Sequence, residues 1–466
     1  MTRISRRVAA VLVLTLIYSV SALCAAPKYV FYFIGDGMGI NSVYGTEIYN
    51  AFKKGEIYPE PLNFSRFEYR TILSNYALNS LVTDSSAAGA ALATGSKIEA
   101  RANAMLPDGT PLRSIALDAK DAGFGSGYVT TVGINHATPA SFCSQTKSRN
   151  DYSKIIDQLL SGPLDFAAGG GFISKNKKKT PSWWESEAEA RGWTVLHGVK
   201  DVEKASASGK TIFLGEDSTK ETTLGYAMES SGARLSDFTA AAISNLSARY
   251  PEGFFLMVEG GDIDHAAHEN DAVCMFEEIN DMARAVDLAL EFEAAHPGEC
   301  LIIVTSDHET GGFTIGNGQY ELHPENFMYQ KVTKGALTRS FRTLRASGNA
   351  RWEDARALIS DGLGLFSKIE VTPEEETALR DIFERTIIGT EDADDPSWYA
   401  VNEKLAKEAI DLLAKKAFFY FAVNTHTGAQ VPLYVTGAGA DRIARCKDQT
   451  EVANTIREIA GYAAAR

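Results

Sequence analysis

Several apolar runs in this chain stop at a carboxylate, an imidazole or both. Asp36 follows the run at 29–35 and precedes Gly37-Met38-Gly39, so one carboxylate sits at a strand mouth where glycines let the backbone come close to a ligand. Glu259 ends the run at 254–258, and beyond it Asp264 and His268 stand at i, i+4. On a helix that spacing puts carboxylate and imidazole on one face, ready to share a metal, while His265 points elsewhere. The run at 301–306 ends in the adjacent pair Asp307-His308, and His426 lies in Asn424-Thr425-His426-Thr427-Gly428, just before a run at 431–435. Each residue alone also reads as a turn former or a satisfied polar group of the interior. Recurring at the ends of apolar runs they read as a set. A mixed Asp/His set suits zinc, and an Asp/Glu/Thr oxygen set suits magnesium.

A second signal is Val82-Thr83-Asp84-Ser85-Ser86-Ala87-Ala88-Gly89-Ala90-Ala91-Leu92-Ala93-Thr94-Gly95. Alanine and glycine at that density predict a helix that packs closely on its neighbours, opened by Thr83 or Asp84 and closed by Gly95. Ser85 then falls in the first turn, where free N–H groups and the helix dipole favour an anion. It is either a plain capping residue or a nucleophile whose anionic adduct the helix end stabilises.

These residues need elements that gather them. Strand-like runs at 29–35, 126–132, 253–258, 300–305 and 431–437 are interleaved with helical patterns at 84–94, 236–249, 271–296 and 403–416. Such alternation predicts an α/β fold with a largely parallel central sheet and helices on both faces, whose ligands collect at the carboxyl ends of the strands. Residues from about 320 to 395 differ, being charge-rich with helical patterns at 335–346, 352–363 and 374–385 and no clear buried strand; they predict an inserted helical segment.

With 466 residues, 45% hydrophobic and 23% charged, the chain is long and apolar enough to bury a sizeable core, which excludes a disordered or fibrous protein. The net charge of −14 argues against holding nucleic acid or an anionic membrane by bulk electrostatics. Residues 1–26 carry Arg3, Arg6 and Arg7, then an apolar run, then the small-residue stretch Ser21 to Ala26, which reads as a secretory signal peptide. Its removal leaves 27–466 as the functional chain, periplasmic or secreted, with no further membrane anchor. Cys143, Cys274, Cys300 and Cys446 permit two disulfides in any of three pairings, and the spacing leaves the choice open.

In their order these motifs resemble the alkaline phosphatases, from about Lys28 to Gly439 apart from the inserted segment. The resemblance implies a metal-dependent phosphomonoesterase acting on small phosphate monoesters, with two zinc ions and one magnesium-type ion, and a homodimer as the default assembly. By similarity, Asp264, His268 and His426 hold the first zinc, Asp36, Asp307 and His308 the second, and Asp36, Thr138 and Glu259 the third ion. Ser85 is the implied nucleophile beside the metals, forming a phosphoserine, and Arg149, in Lys147-Ser148-Arg149-Asn150, the implied phosphate clamp. Two positions are similar to the animal enzymes rather than the best-known bacterial ones: His136, where those have Asp, and His265, where they have Lys. His136 adds a possible ligand near the third ion and His265 a substrate-binding group, which predicts an alkaline optimum and marked magnesium activation. A related metal-dependent phosphodiesterase would share the zinc sites, but Ser85 with Arg149, Thr138 and Glu259 speaks for monoesters. A non-catalytic phosphate- or metal-binding protein would use the same ligands, against which stands the completeness of the set. A sulfatase of similar fold requires Pro where Ala87 stands.

Overall fold

The structure, a computed structural model, describes residues 26–229, 231–316 and 320–462. The segment read as a signal peptide therefore lies, but for its last residue, outside the described residues. Among the described residues no helix is long and apolar enough to cross a membrane.

Nine strands form the main sheet: β1 (Tyr29–Gly35), β2 (Tyr69–Leu73), β3 (Gly125–Thr130), β4 (Phe166–Gly169), β5 (Thr194–His197), β6 (Thr211–Leu214), β7 (Phe254–Gly260), β8 (Cys300–Ser306) and β9 (Val431–Gly437). Their order is β2-β9-β8-β1-β7-β3-β4-β6-β5, and only β9 runs against its neighbours. The sequence explains the middle of this arrangement. β1, β7 and β8 are buried along their whole length, as unbroken apolar runs must be when both faces of a parallel sheet are covered. Along β1, Tyr29, Phe31 and Phe33 enter one core while Val30, Tyr32 and Ile34 enter the other, the two-residue period of a strand.

Helices cover both faces. The first core receives α1 (Ile40–Lys53) and the long α5 (Ala272–Ala295); the second receives α2 (Ser85–Thr94) and α3 (Ala137–Cys143), with α4 (Asp262–His268) between β7 and α5 in sequence. Gly89 sets the approach of α2 to α3, since a Cβ there would stand 3.2 Å from the Thr138 Cα. Thus the helix carrying Ser85 lies against the helix carrying Thr138.

Register aligns the strand ends. Gly35 pairs with Gly260 on one side and with Ser306 on the other, and Thr130 lies beside Glu259. The residues that follow β1, β7 and β8 therefore emerge together at one edge of the sheet.

Four strands, β2, β4, β5 and β6, were not expected from the sequence. β4, β5 and β6 have four residues each, too few to show a period, and Phe-Ala-Ala-Gly has little strand preference of its own. They are held by pairing in series from β3 outward, a tertiary effect. In the segment 320–395 the helices Lys334–Ala346, Trp352–Leu363 and Pro373–Phe383 form as the patterns predict. Phe341, Trp352, Ile359, Leu379 and Phe383 join the same core as one face of the sheet rather than building their own. A short hairpin, Asp394–Pro396 with Val401–Glu403, follows them. Cys143, Cys274, Cys300 and Cys446 are all buried free thiols, so the disulfides that their number permits do not form.

Candidate active site

Asp36 leaves β1 directly beneath the cluster. The next residue, Gly37, has φ +72°, and a Cβ there would lie 2.8 Å from Asp264 Oδ1 and 2.9 Å from Thr310 Oγ1, so only glycine fits both conformation and space. Its N–H donates to Asp307 Oδ1 at 3.1 Å, and the His308 N–H donates to the same oxygen at 2.8 Å. Asp307 is thereby fixed with its other oxygen turned toward His308, whose Nε2 lies 3.3 Å from Asp307 Oδ2 and 3.3 Å from Asp36 Oδ1. Asp36, Asp307 and His308 form one compact group of possible metal ligands.

A second group is Asp264, His268 and His426. Asp264 and His268 share a face of α4 with 3.3 Å between Oδ2 and Nε2, as the i, i+4 spacing predicts. His426 arrives from a distant part of the chain, brought in by a two-residue antiparallel ladder between His426–Thr427 and Glu309–Thr310. Its Nε2 is 3.2 Å from His268 Nε2 and 3.8 Å from Asp264 Oδ1. The other ring nitrogens face backbone carbonyls, His268 Nδ1 the Asn424 oxygen at 2.7 Å and His426 Nδ1 the Thr83 oxygen at 2.9 Å. A carbonyl only accepts, so Nδ1 carries the proton and each Nε2 turns a lone pair toward its partners, as a metal requires.

A third group, Asp36, His136 and Glu259, shares Asp36 with the first. Thr130 Oγ1 donates to Glu259 Oε2, and Thr138 sits in the first turn of α3. Here the sequence expected Thr138 with Asp36 and Glu259, and His136 as an addition; the structure groups His136 with Asp36 and Glu259.

The donor set fits cations. Both carboxylate oxygens of Asp36, Glu259 Oε1, Asp264 Oδ2, Asp307 Oδ2, Thr138 Oγ1 and His136 Nδ1 are buried without a hydrogen-bond partner. Native interiors leave few such atoms, and several carboxylates facing one another are stabilised only by positive charge among them. Oxygen and imidazole donors in these proportions are those of zinc and magnesium sites.

Electrostatics say the same. Burial, then the charges of Asp307, Asp264 and Glu259, hold the Asp36 carboxyl well above its usual range. Burial and Asp264 push Asp307 up to about 8, and burial pushes Glu259 up to about 7. In chelator the folded chain therefore keeps protons that the unfolded chain releases near about pH 4, so stability falls as pH rises from about 5 to about 8. The melting temperature of chelated protein is expected to drop across that window and the drop to shrink when zinc and magnesium are returned. A melting temperature that is constant across the window, or that rises with pH, contradicts this.

Ser85 is the first residue of α2 and fully buried, its Oγ 3.2 Å from His308 Nε2. Asp84, not Ser85, caps the helix: its Oδ1 accepts from the Ala87 N–H at 3.1 Å. The serine hydroxyl is thus left toward His308, and the capping role falls to Asp84. Arg149 Nη1 bonds Asp84 Oδ2 at 3.0 Å and Nη2 lies 3.4 Å from His136 Nε2, which anchors the guanidinium on the residue before Ser85. Burial, then Arg149, hold His136 well below its usual range.

His265 does point away from Asp264 and His268. Its Nδ1 lies 3.0 Å from Asp262 Oδ1, while its Nε2 is buried without a partner. Its ring packs on Tyr399, 3.7 Å between centroids. Tyr399 and its neighbour Trp398 were not anticipated by sequence reasoning. They follow a charge-rich stretch and carry no motif, and an exposed aromatic pair in a loop was the only available sign. Tyr399, 39% exposed overall, has its ring 5.3 Å from that of His268, and desolvation of the phenol, then the Asp264 charge, raise it well above its usual range. The site opens to solvent through a cavity of about 580 Å³ bounded by Arg149, Tyr152, His268, Trp398 and His426.

The comparisons with known proteins agree with this geometry. The alkaline phosphatase family model matches residues 27–462. Over 441 residues the chain is 30% identical to alkaline phosphatase 4 of Bacillus subtilis, covering 91% of this chain and 87% of that one. Over 357 residues it is 30% identical to the human tissue-nonspecific alkaline phosphatase, with 64% and 67% covered. The cold-active alkaline phosphatase of a psychrophilic Shewanella superposes with a TM-score of 0.77 at 26% identity, over 93% of this chain and 99% of that one. The Thermus thermophilus alkaline phosphatase shares the fold, with a TM-score of 0.77 at 22% identity over 95% and 93%. With its strand-end carboxylates, its imidazoles and a match over nearly its whole length, the chain belongs to the alkaline phosphatase family of metal-dependent phosphomonoesterases.

Proposed function

We propose that this chain is an exported alkaline phosphatase that hydrolyses phosphate monoesters through a phosphoserine on Ser85. The observation that carries the reading is the position of Ser85 Oγ, buried at the amino end of α2 and 3.2 Å from a candidate metal ligand, with Arg149 alongside. Asp264, His268 and His426 would hold one zinc, Asp36, Asp307 and His308 a second, and Asp36, Thr138, Glu259 and His136 a magnesium-type ion. When bound, these ions supply Lewis acidity that favours an ionised serine and water and stabilises the departing oxygen.

The chain's own residues do the rest. Arg149 presents two N–H groups, a fork that can grip two non-bridging phosphoryl oxygens where a lysine cannot. It would hold the phosphorus in line with Ser85 Oγ, and His265, whose Nε2 is unpartnered, would be a further substrate-binding group. The serine oxygen forms a bond to phosphorus as the ester P–O bond breaks, and the alcohol leaves with the proton that the serine gave up. Water then attacks from the vacated side, breaks the Ser85–phosphorus bond and releases inorganic phosphate. Residues 27–466 would act as one catalytic unit with 320–395 as its insertion. Segment 1–26 supports export to the periplasm or medium, and a homodimer is the assembly expected of the family.

Rates on paired substrates test the reading against a diesterase and against a binding protein. Phenyl phosphate is expected to turn over at least about 100-fold faster than the corresponding diester, because a diester lacks one oxygen that Arg149 and the cations grip. Preference for the diester, or binding of phosphate without turnover, overturns it.

A further inference from the structure

Trp398 is 62% exposed, yet the hairpin that carries it is tied down on both sides. It stands at the tip of the hairpin Asp394–Pro396 and Val401–Glu403, closed by the Ser397 N–H donating to the Ala400 carbonyl at 2.7 Å. Three groups tie that hairpin to Glu269, the buried residue directly after His268. Ser397 Oγ donates to Glu269 Oε1 at 2.7 Å, Asn402 Nδ2 donates to Oε2, and Lys334 Nζ donates to the Glu269 carbonyl at 2.7 Å while lying 3.8 Å from Asp395. The indole is thereby registered to the end of α4, its ring 6.2 Å from that of His268. A fixed indole that buries little in the fold is spending its apolar surface on the cavity.

In-line displacement says what meets it there. Ser85 approaches phosphorus from the side of His308, and Arg149 takes non-bridging oxygens, so the ester oxygen must face the opposite side, toward His268, His426 and the open cavity. Whatever the ester oxygen carries enters the cavity that Trp398, Tyr152 and Val82 line together, Val82 being exposed as well. Beside charged neighbours such as Arg149 and Lys175, these two aromatic rings and one aliphatic side chain supply the apolar surface on which a planar group can rest. Resting on the phosphomonoesterase reading above, we infer that Trp398 and Tyr152 form a leaving-group subsite that selects phosphate esters of aromatic alcohols.

The test compares benzyl phosphate with butyl phosphate, whose ester oxygens are both primary and whose difference is the ring, on the metal-loaded full chain. Trp398→Ala is expected to lower kcat/KM for benzyl phosphate about tenfold more than for butyl phosphate, and Trp398→Phe to recover most of that selectivity. An equal loss on both esters, or no loss on either, overturns the subsite while leaving the phosphatase intact. A wild-type chain that turns over neither ester overturns the reading on which the subsite rests, and the subsite with it. Because Trp398 is mostly exposed, truncating it leaves no cavity in the core, and matched melting temperatures of the variants separate selectivity from unfolding.

Discussion

Ser85→Ala is expected to lower phosphate release by roughly 10³-fold or more while leaving the fold intact. The two effects separate because Ser85 contributes almost nothing to the helix that carries it. Asp84 caps α2 through Ala87, and among the described residues the one hydrogen-bond contact of the serine hydroxyl is His308 Nε2. Alanine suits a helix at least as well as serine, so the change in stability should stay within about 1 kcal/mol. In the proposed mechanism, however, the oxygen of the lost hydroxyl is the atom that bonds to phosphorus. Acid quenching with radiolabelled monoester should trap label on the wild-type chain and none on the variant, and a melting curve should overlay the two. A variant that keeps more than about a tenth of the activity would show that water attacks the ester directly and that Ser85 is not the nucleophile.

Asp36→Asn is expected to have the widest effect of any ligand substitution, because Asp36 alone belongs to two of the three groups. Both of its oxygens are buried and unpartnered by hydrogen bonds. Asparagine keeps the shape but offers one oxygen and no charge, so both ions that share it should bind more weakly. Metal analysis after dialysis should show a loss from more than one site per chain, with activity down at least about 100-fold. His136→Asn, which belongs to one group and also touches Arg149, should weaken the magnesium response while leaving the two zinc groups occupied. In chelator the order of stability reverses. Burial and neighbouring charges penalise an ionised Asp36, so the neutral variant should melt higher than chelated wild type at alkaline pH. Unchanged metal content and rate in Asp36→Asn would remove Asp36 from the site.

Much of this centre could be read from the chain because its ligands follow simple local rules. Asp36, Glu259 and the pair Asp307-His308 come at the ends of apolar runs, and those runs became the central strands β1, β7 and β8. Asp264 and His268 needed only the helical period. His426 was placed by the family resemblance, and what physically delivers it is a two-residue ladder to Glu309–Thr310 that no local pattern announces. The outer strands β4, β5 and β6 escaped notice because four residues show no period and their pairing is non-local. Trp398 and Tyr399 escaped for a different reason. Their importance comes from Glu269 anchoring a hairpin that is more than a hundred residues away in sequence, a relation visible only once the chain is folded. The role of Asp84 is intermediate: its cap was anticipated, but its bond to Arg149 was not.

The central claim is that buried carboxylates and imidazoles at these strand ends hold metals without which Ser85 does not react. The most direct measurement follows phosphate release from an aryl phosphate at alkaline pH in one sample, before chelation, after it, and after zinc and magnesium are returned. The account predicts activity that disappears with the metals and comes back with them. A rate that persists unchanged through complete removal of zinc and magnesium would contradict it.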